Sequence, residues 1–465
     1  MVVGNIIQQL AQSIGVGEPA LRLILSIFLG YPLACIYRQF IFSTSKLINH
    51  LFIIITGLSI LYFNYGFDLY HVVLAIFVEY ILVHVLRGSV LTTVSFAFHL
   101  GYLLIGYYFT SSDTYDIKWT MPHCVLVLRL IGLSFNVADG QRPAEKLSTE
   151  NKKTCLVKPP GLLEIYSFAL FPASLLIGPQ FPFRRYDSFI NKEFAQYTGN
   201  MRAGLIRGGI GLAYLIVHQV GAIFASDDYI LSEEYANSAY INKLFMLGLW
   251  GRVSLYKYIS CWLLAEGVAS CFGLTFVGVK DGKEDWSGCA NINLYLFENC
   301  SRFQDYISSF NINTNHWVAE YVFKRLKFLN NRHISHGATL LFLAVWHGFH
   351  SGYYMCFLME FIVMNFEKDI ETVFKRNEPF MKFCSTPPIS WICFVLLKIY
   401  TIVGMGWSLT PFVLFDVEKW WHVFCTVRMF GFILFVPWPL YAIVLKTLLP
   451  PTKSSKTTSD KPKTS

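Results

Sequence analysis

Apolar runs long enough to cross a bilayer recur from the start of the chain to its end. They include LRLILSIFLGYPLACIY from Leu21, LFIIITGLSILYFNYGF from Leu51 and VLTTVSFAFHLGYLLIGYYF from Val90. LLEIYSFALFPASLLIG from Leu162, AGLIRGGIGLAYLIVHQVGAIFA from Ala203, WICFVLLKIYTIVGMGW from Trp391 and FGFILFVPWPLYAIVL from Phe430 continue the pattern. With less regular runs from Val72, Val125, Met246 and Leu340, they predict on the order of eleven membrane segments. Only helices and closed barrels satisfy every backbone polar group inside hydrocarbon, and runs of this length are helical in scale. The expectation is an all-α polytopic membrane protein.

Polar stretches punctuate these runs. NVADGQRPAEKLSTENKKTCLVKPPG ends near Gly161, and GVKDGKEDWSGCANINLYLFENCSRFQDY starts at Gly278. The block NHWVAEYVFKRLKFLNNRHISH is amphipathic: Trp317, Tyr321 and Phe328 fall near helical spacing with Ala319, Leu326 and Leu329, while Lys324, Arg325 and Lys327 supply charge. Thr314 or Asn315 is expected to cap this helix and Asn330–Asn331 to end it. A basic amphipathic helix beside membrane spans is expected at the interface. No internal repeat and no soluble domain is visible, so residues 1–450 read as a single transmembrane domain and 451–465 as a basic tail.

Composition agrees: 54% of the 465 residues are hydrophobic and only 15% are charged, against about 25% charged in soluble domains. The net charge of +8 is spread over loops and the tail KSSKTTSDKPKTS, so it is not a nucleic-acid signal. Basic flanks stay cytosolic, which places the tail in the cytosol. There Lys461 and Lys463 form a KxKxx arrangement resembling an endoplasmic reticulum retrieval signal. The first twenty residues lack the features of a cleavable signal peptide. The eleven cysteines show no paired spacing and read as small buried residues.

Two short stretches carry candidate chemistry. LAVWHGFHSGYY, residues 343–354, places His347 and His350 in an otherwise apolar, aromatic and small-residue run. A neutral imidazole can take and return a proton near neutral pH. Gly348 and Gly352 leave room for a substrate or a neighbouring helix. On a continuous helix His350 would share a face with His347. Hydrogen-bonded packing is the alternative for both histidines. A metal site built from His347, His350, His333 and His336 lacks the carboxylates or thiolates that zinc sites use, so no metal is expected. SSFNINTNHW offers Asn311, Asn313 and Asn315, whose amides can orient a substrate or simply cap a turn. Arg252, Lys257 and Glu266, in GRVSLYKYISCWLLAEGV, read as an internal ion-pair set or interface anchors.

SFNINTNHWVAEYVFKRLKFL followed by LLFLAVWHGFHSGYYMCFLMEF closely resembles the membrane-bound O-acyltransferases, within them the lysophospholipid acyltransferase branch. VLVLRLIGLSFNVADG, LLIGPQFPF, LWGRVSLYKYISCWLLAEGV and CANINLYLFE resemble the same branch, from about Ile117 to the tail. The resemblance implies that family's fold, with short interfacial helices around a central intramembrane reaction chamber. It implies a catalytic His347 and an upstream asparagine, Asn311 in preference to Asn315, thirty-six positions before it. Trp346, Tyr353 and Asn315 remain candidates for substrate contact. The implied reaction moves an acyl chain from acyl-coenzyme A, a co-substrate, to the sn-2 hydroxyl of a lysophospholipid, without a resident cofactor. The implied location is the endoplasmic reticulum membrane. A different acceptor (sterol, diacylglycerol or protein) and a non-enzymatic transporter are the alternatives.

Overall fold

The computed structural model describes residues 2–110 and 117–452. Those residues are predominantly helical. Six helical stretches are long and apolar enough to cross a membrane: Glu18–Ile41, Lys46–Val85, Gly88–Thr110, Thr120–Gly140, Asn200–Ile230 and Ile389–Leu414. Two further long helices, Tyr240–Phe272 and Ser351–Lys375, carry more polar residues and pack among them. Thr120–Gly140 is the most enclosed of the six stretches. Exposed Ile55, Ile105, Ile216 and Val395 lie on the outer faces of others, as lipid contact requires.

Two apolar runs do not form single spanning helices. The Leu162 run is helical only to Ala169, and the chain then passes through turns to Pro182. Pro172, Gly178 and Pro179 interrupt it, and irregular backbone at membrane depth survives only when protein satisfies its polar groups. Arg129 of Thr120–Gly140 does this: its guanidinium donates to the carbonyls of Phe168, Ala169, Ser174 and Pro179 at 3.2–3.3 Å. The Phe430 run splits into Phe430–Phe435 and Trp438–Leu448 at Pro437, where proline removes a helix hydrogen bond.

Helices approach closely where side chains are smallest, the usual device when lipid removes the hydrophobic drive for association. A Cβ on Gly251 of Tyr240–Phe272 would lie 2.5 Å from the Gly406 Cα of Ile389–Leu414. A short hairpin, Gly278–Lys280 with Lys283–Asp285, occupies the polar stretch after Phe272. Asp281 and Gly282 turn it, both at positive φ, as an Asp-Gly hairpin turn demands. The last described residues dock beside the end of Ser351–Lys375, where the Thr452 amide donates to the Arg376 carbonyl at 3.0 Å. Lys453, Lys456, Lys461 and Lys463, with the KxKxx arrangement, lie outside the described residues.

The amphipathic block departs from expectation. Its helix is Ile312–Tyr321, with Asn311 at the N-cap position, and a 3-10 stretch Phe323–Leu329 follows. Asn330, at positive φ, ends that stretch, and Asn331 caps the next helix, Arg332–His347. Arg325 forms a two-pronged pair with Asp139 at 2.9 and 2.5 Å, and Lys324 pairs with Glu320. This block is therefore tied to the end of Thr120–Gly140. Arg252, Lys257 and Glu266 do not pair with one another. Arg252 meets Glu298 at 2.7 Å, Glu266 meets Arg207 at 2.7 Å, and the Lys257 ammonium sits 5.2 Å from the Tyr258 ring centre. The two ion pairs each join different elements, because a buried charge is tolerated only when its partner is close and oriented.

Candidate active site

His347 is the last residue of Arg332–His347, and Gly348 breaks the helix with φ 123 and ψ −159. Only glycine adopts such a backbone without strain. His350 then becomes the N-cap of Ser351–Lys375, so the two histidines do not share a helical face. His350 packs against Tyr353 and Phe415, outside the cavity that His347 lines. Gly352 brings the next helix in: a Cβ there would lie 1.9 Å from the Pro411 carbonyl oxygen.

The His347 ring is held by other rings. Trp346, Phe412, Tyr353 and Phe357 lie with centroids 4.6, 5.1, 5.3 and 5.7 Å away. Trp346 is fixed in turn, its Nε1 donating to the Cys124 carbonyl at 3.0 Å and its own carbonyl accepting from the Tyr107 hydroxyl at 3.2 Å. Among the described residues no carboxylate pairs with His347, so nothing holds the imidazole in its charged form, and the neutral form is the one that can accept a proton.

Asn311 is presented by a turn. Its φ of 52 and ψ of 42 lie in the left-handed region, which asparagine visits more readily than other side-chain-bearing residues. The flanking backbone is stitched to residues 291–293. The Ile312 amide donates to the Asn291 carbonyl at 3.0 Å, the Asn293 amide donates to the Ser309 carbonyl at 2.8 Å, and Ile292 bridges Phe310. Asn291 Nδ2 donates to Asn311 Oδ1 at 3.2 Å.

Asn311 and His347 line one cavity of about 180 Å³, with Trp346 and Tyr353 also in its wall. Asn315 is not in that wall. Its Nδ2 donates to the carbonyls of Ile307 and Phe310 at 2.9 and 3.0 Å, which fastens the start of its own helix. The wall also holds Asn291, Gln180, Tyr258 and Trp262, to which no role was given from sequence. Their stretches carry the resemblance above, yet nothing in the pattern marks them as converging, because they come from distant parts of the chain.

Gln180, Leu128 and Asn313 also line a second cavity, of about 450 Å³. Its wall carries Lys153, Arg184, Arg185 and His316. Arg185 is committed to the Leu274 and Phe276 carbonyls, and Lys153 to Glu150. That pairing with Lys153 holds the Glu150 carboxyl below its usual range. Arg184 is exposed, leaving its charge available to an anion. Lys324 and Arg325, the cations singled out from sequence, are instead engaged with Glu320 and Asp139. His333 and His336 line a third cavity, of about 630 Å³, which shares no residue with the one holding His347 and Asn311.

Residues 104–410 match the model of the membrane-bound O-acyltransferase family. The chain is 47% identical over 447 residues to Lysophospholipid acyltransferase 5 of Drosophila melanogaster, covering 93% of this chain and 88% of that protein. It is 41% identical to the Homo sapiens protein of the same name, over 92% of this chain and 90% of the relative. Identity to the Caenorhabditis elegans protein of that name is 33%, over 96% of each.

Proposed function

This chain belongs to the membrane-bound O-acyltransferase family, and we propose, on that premise and on its likeness to proteins named lysophospholipid acyltransferase, that it transfers an acyl chain from acyl-coenzyme A to the sn-2 hydroxyl of lysophosphatidylcholine and related lysophospholipids. The observation that carries this reading is the meeting of His347 and Asn311 on one cavity, beside a larger basic one.

In this mechanism His347 accepts the proton of the lysolipid hydroxyl as its oxygen attacks the thioester carbonyl carbon. Asn311 lies beside the carbonyl oxygen as negative charge develops there. The carbon–sulfur bond then breaks, and the thiolate leaves with the proton returned by His347. Atoms balance as phospholipid plus free coenzyme A, with no covalent acyl-enzyme and no resident cofactor. General base help is worth about 10²–10⁴-fold, and one oxyanion donor about 10²–10³-fold.

Coenzyme A is a polyanion, and the basic cavity suits its phosphates. Leu128, Gln180 and Asn313, shared by both walls, mark where the thiol arm passes inward. Trp346 and Tyr353 border the reacting groups. The acceptor comes from the bilayer and both acyl chains prefer hydrocarbon, which is the reason for placing the chemistry inside a membrane protein. We propose the endoplasmic reticulum membrane as its location, as the resemblance to lysophospholipid acyltransferases implies.

The test is acyl transfer by purified protein in detergent, with a polyunsaturated acyl-coenzyme A and a panel of acceptors. Products from lysophosphatidylcholine and its relatives are expected. Acylation of cholesterol or diacylglycerol with none of any lysophospholipid would overturn the reading.

A further inference from the structure

We infer that Asn291 is a positioning residue that locks the Asn311 amide with its NH₂ end toward the reacting centre, making Asn311 a hydrogen-bond donor in the reaction. The inference rests on the proposed catalytic role of Asn311 and assigns the direction of that role.

An asparagine amide has an acceptor end and a donor end of nearly the same shape. Which end faces a substrate must be decided by what the other end touches. Here a backbone group decides it. The Asn313 amide N–H can only donate, and it meets the Asn291 side chain at 2.9 Å. The Asn291 atom receiving it must be the oxygen, so the other end of that side chain is its NH₂. That NH₂ lies 3.2 Å from the Asn311 side chain and can only donate, so the Asn311 atom it meets is Oδ1. The remaining atom, Asn311 Nδ2, has no partner among the described residues, and the side chain lines the cavity with His347.

Asn291 is itself pinned. Its backbone N–H donates to Glu266 Oε1 at 2.6 Å, its carbonyl accepts from the Ile312 amide at 3.0 Å, and Glu266 is anchored by Arg207 at 2.7 Å. Reversing the Asn311 amide would set two NH₂ groups against each other and turn the Asn311 oxygen toward the substrate oxygens. A fixed donor aimed where negative charge develops needs no reorganisation during the reaction, which is the property that makes such donors effective.

The experiment compares Asn291→Ala, Asn291→Asp, Asn311→Ala and the double variant Asn291→Ala/Asn311→Ala with the parent. It reads kcat, KM for both substrates, and the thermal midpoint of the purified protein. Asn291→Ala frees the Asn311 amide to turn, and kcat is expected to fall roughly 10–10²-fold with both KM values nearly unchanged. Asn291→Asp still accepts from the Asn313 amide but presents an oxygen to Asn311. It is expected to lose more than Asn291→Ala. In the Asn311→Ala background, Asn291→Ala should add no further loss, since there is no amide left to orient.

An equal loss from Asn291→Ala with and without Asn311 would assign Asn291 to general packing and overturn the inference. So would a parental kcat in Asn291→Ala beside a depleted one in Asn311→Ala. Parental activity in Asn311→Ala would instead remove the catalytic role of Asn311, on which the inference stands. If the aspartate variant does not fold, the alanine cycle alone decides.

Discussion

The turn that presents Asn311 and the turn that presents His347 face the same cavity but are fixed by opposite means. At Asn311 the means are hydrogen bonds, running from Arg207 through Glu266 and Asn291 to the Asn311 oxygen. At His347 it is shape: a glycine break, a ring of four aromatic side chains, and a helix contact at Gly352 that leaves no space for a methyl group. Hydrogen bonds fix the direction of an amide, whose two ends differ chemically. Packing fixes the plane of an imidazole while leaving its nitrogens without a hydrogen-bond partner among the described residues, as the proposed proton acceptor requires.

The sharpest way to break this contrast is His347→Phe, which keeps an aromatic ring in the cage and removes the nitrogens. Acyl transfer is expected to fall about 10²–10⁴-fold with the thermal midpoint in detergent nearly unchanged. A variant that unfolds would show instead that the ring nitrogens hold the turn. On the other side, Asn311→Ala should reduce kcat about 10²–10³-fold, read in steady-state assays at saturating substrate.

Asn315→Ala sharpens the comparison further, because this asparagine sits four positions from Asn311 yet bonds only backbone carbonyls. It should cost about 1–3 kcal/mol of stability and leave kcat per folded molecule within a few-fold, as thermal denaturation and activity together will reveal. The smallest effect belongs to Arg184→Ala at the basic cavity. It should raise KM for acyl-coenzyme A several-fold, more at low salt than at high salt, and leave kcat and KM for the lysolipid unchanged.

Much of this was legible in the sequence, and the exceptions have physical causes. The membrane class followed from run length and composition, and the WHGFHSGY stretch pointed to His347 before any geometry. The fate of His350 was not legible. Spacing of three implies a shared face only on an unbroken helix, and Gly348, expected to make room for a substrate or a neighbouring helix, is a change of direction. The breaks in the Leu162 and Phe430 runs were similarly hidden, because hydropathy does not register that Pro172 and Pro437 interrupt the backbone. Asn291 was out of reach for a different reason. It acts through hydrogen bonds to residues some twenty positions away, and one-dimensional patterns show periodic contacts, not contacts between loops.

The most direct test of the central claim is kcat for acyl transfer from acyl-coenzyme A to lysophosphatidylcholine by purified His347→Ala, with His350→Ala beside it and the folded fraction of each measured. The account predicts that His347→Ala loses nearly all transfer while His350→Ala, whose ring lies outside the cavity, retains most of it. Parental kcat in well-folded His347→Ala would contradict the account and return that histidine to a packing role.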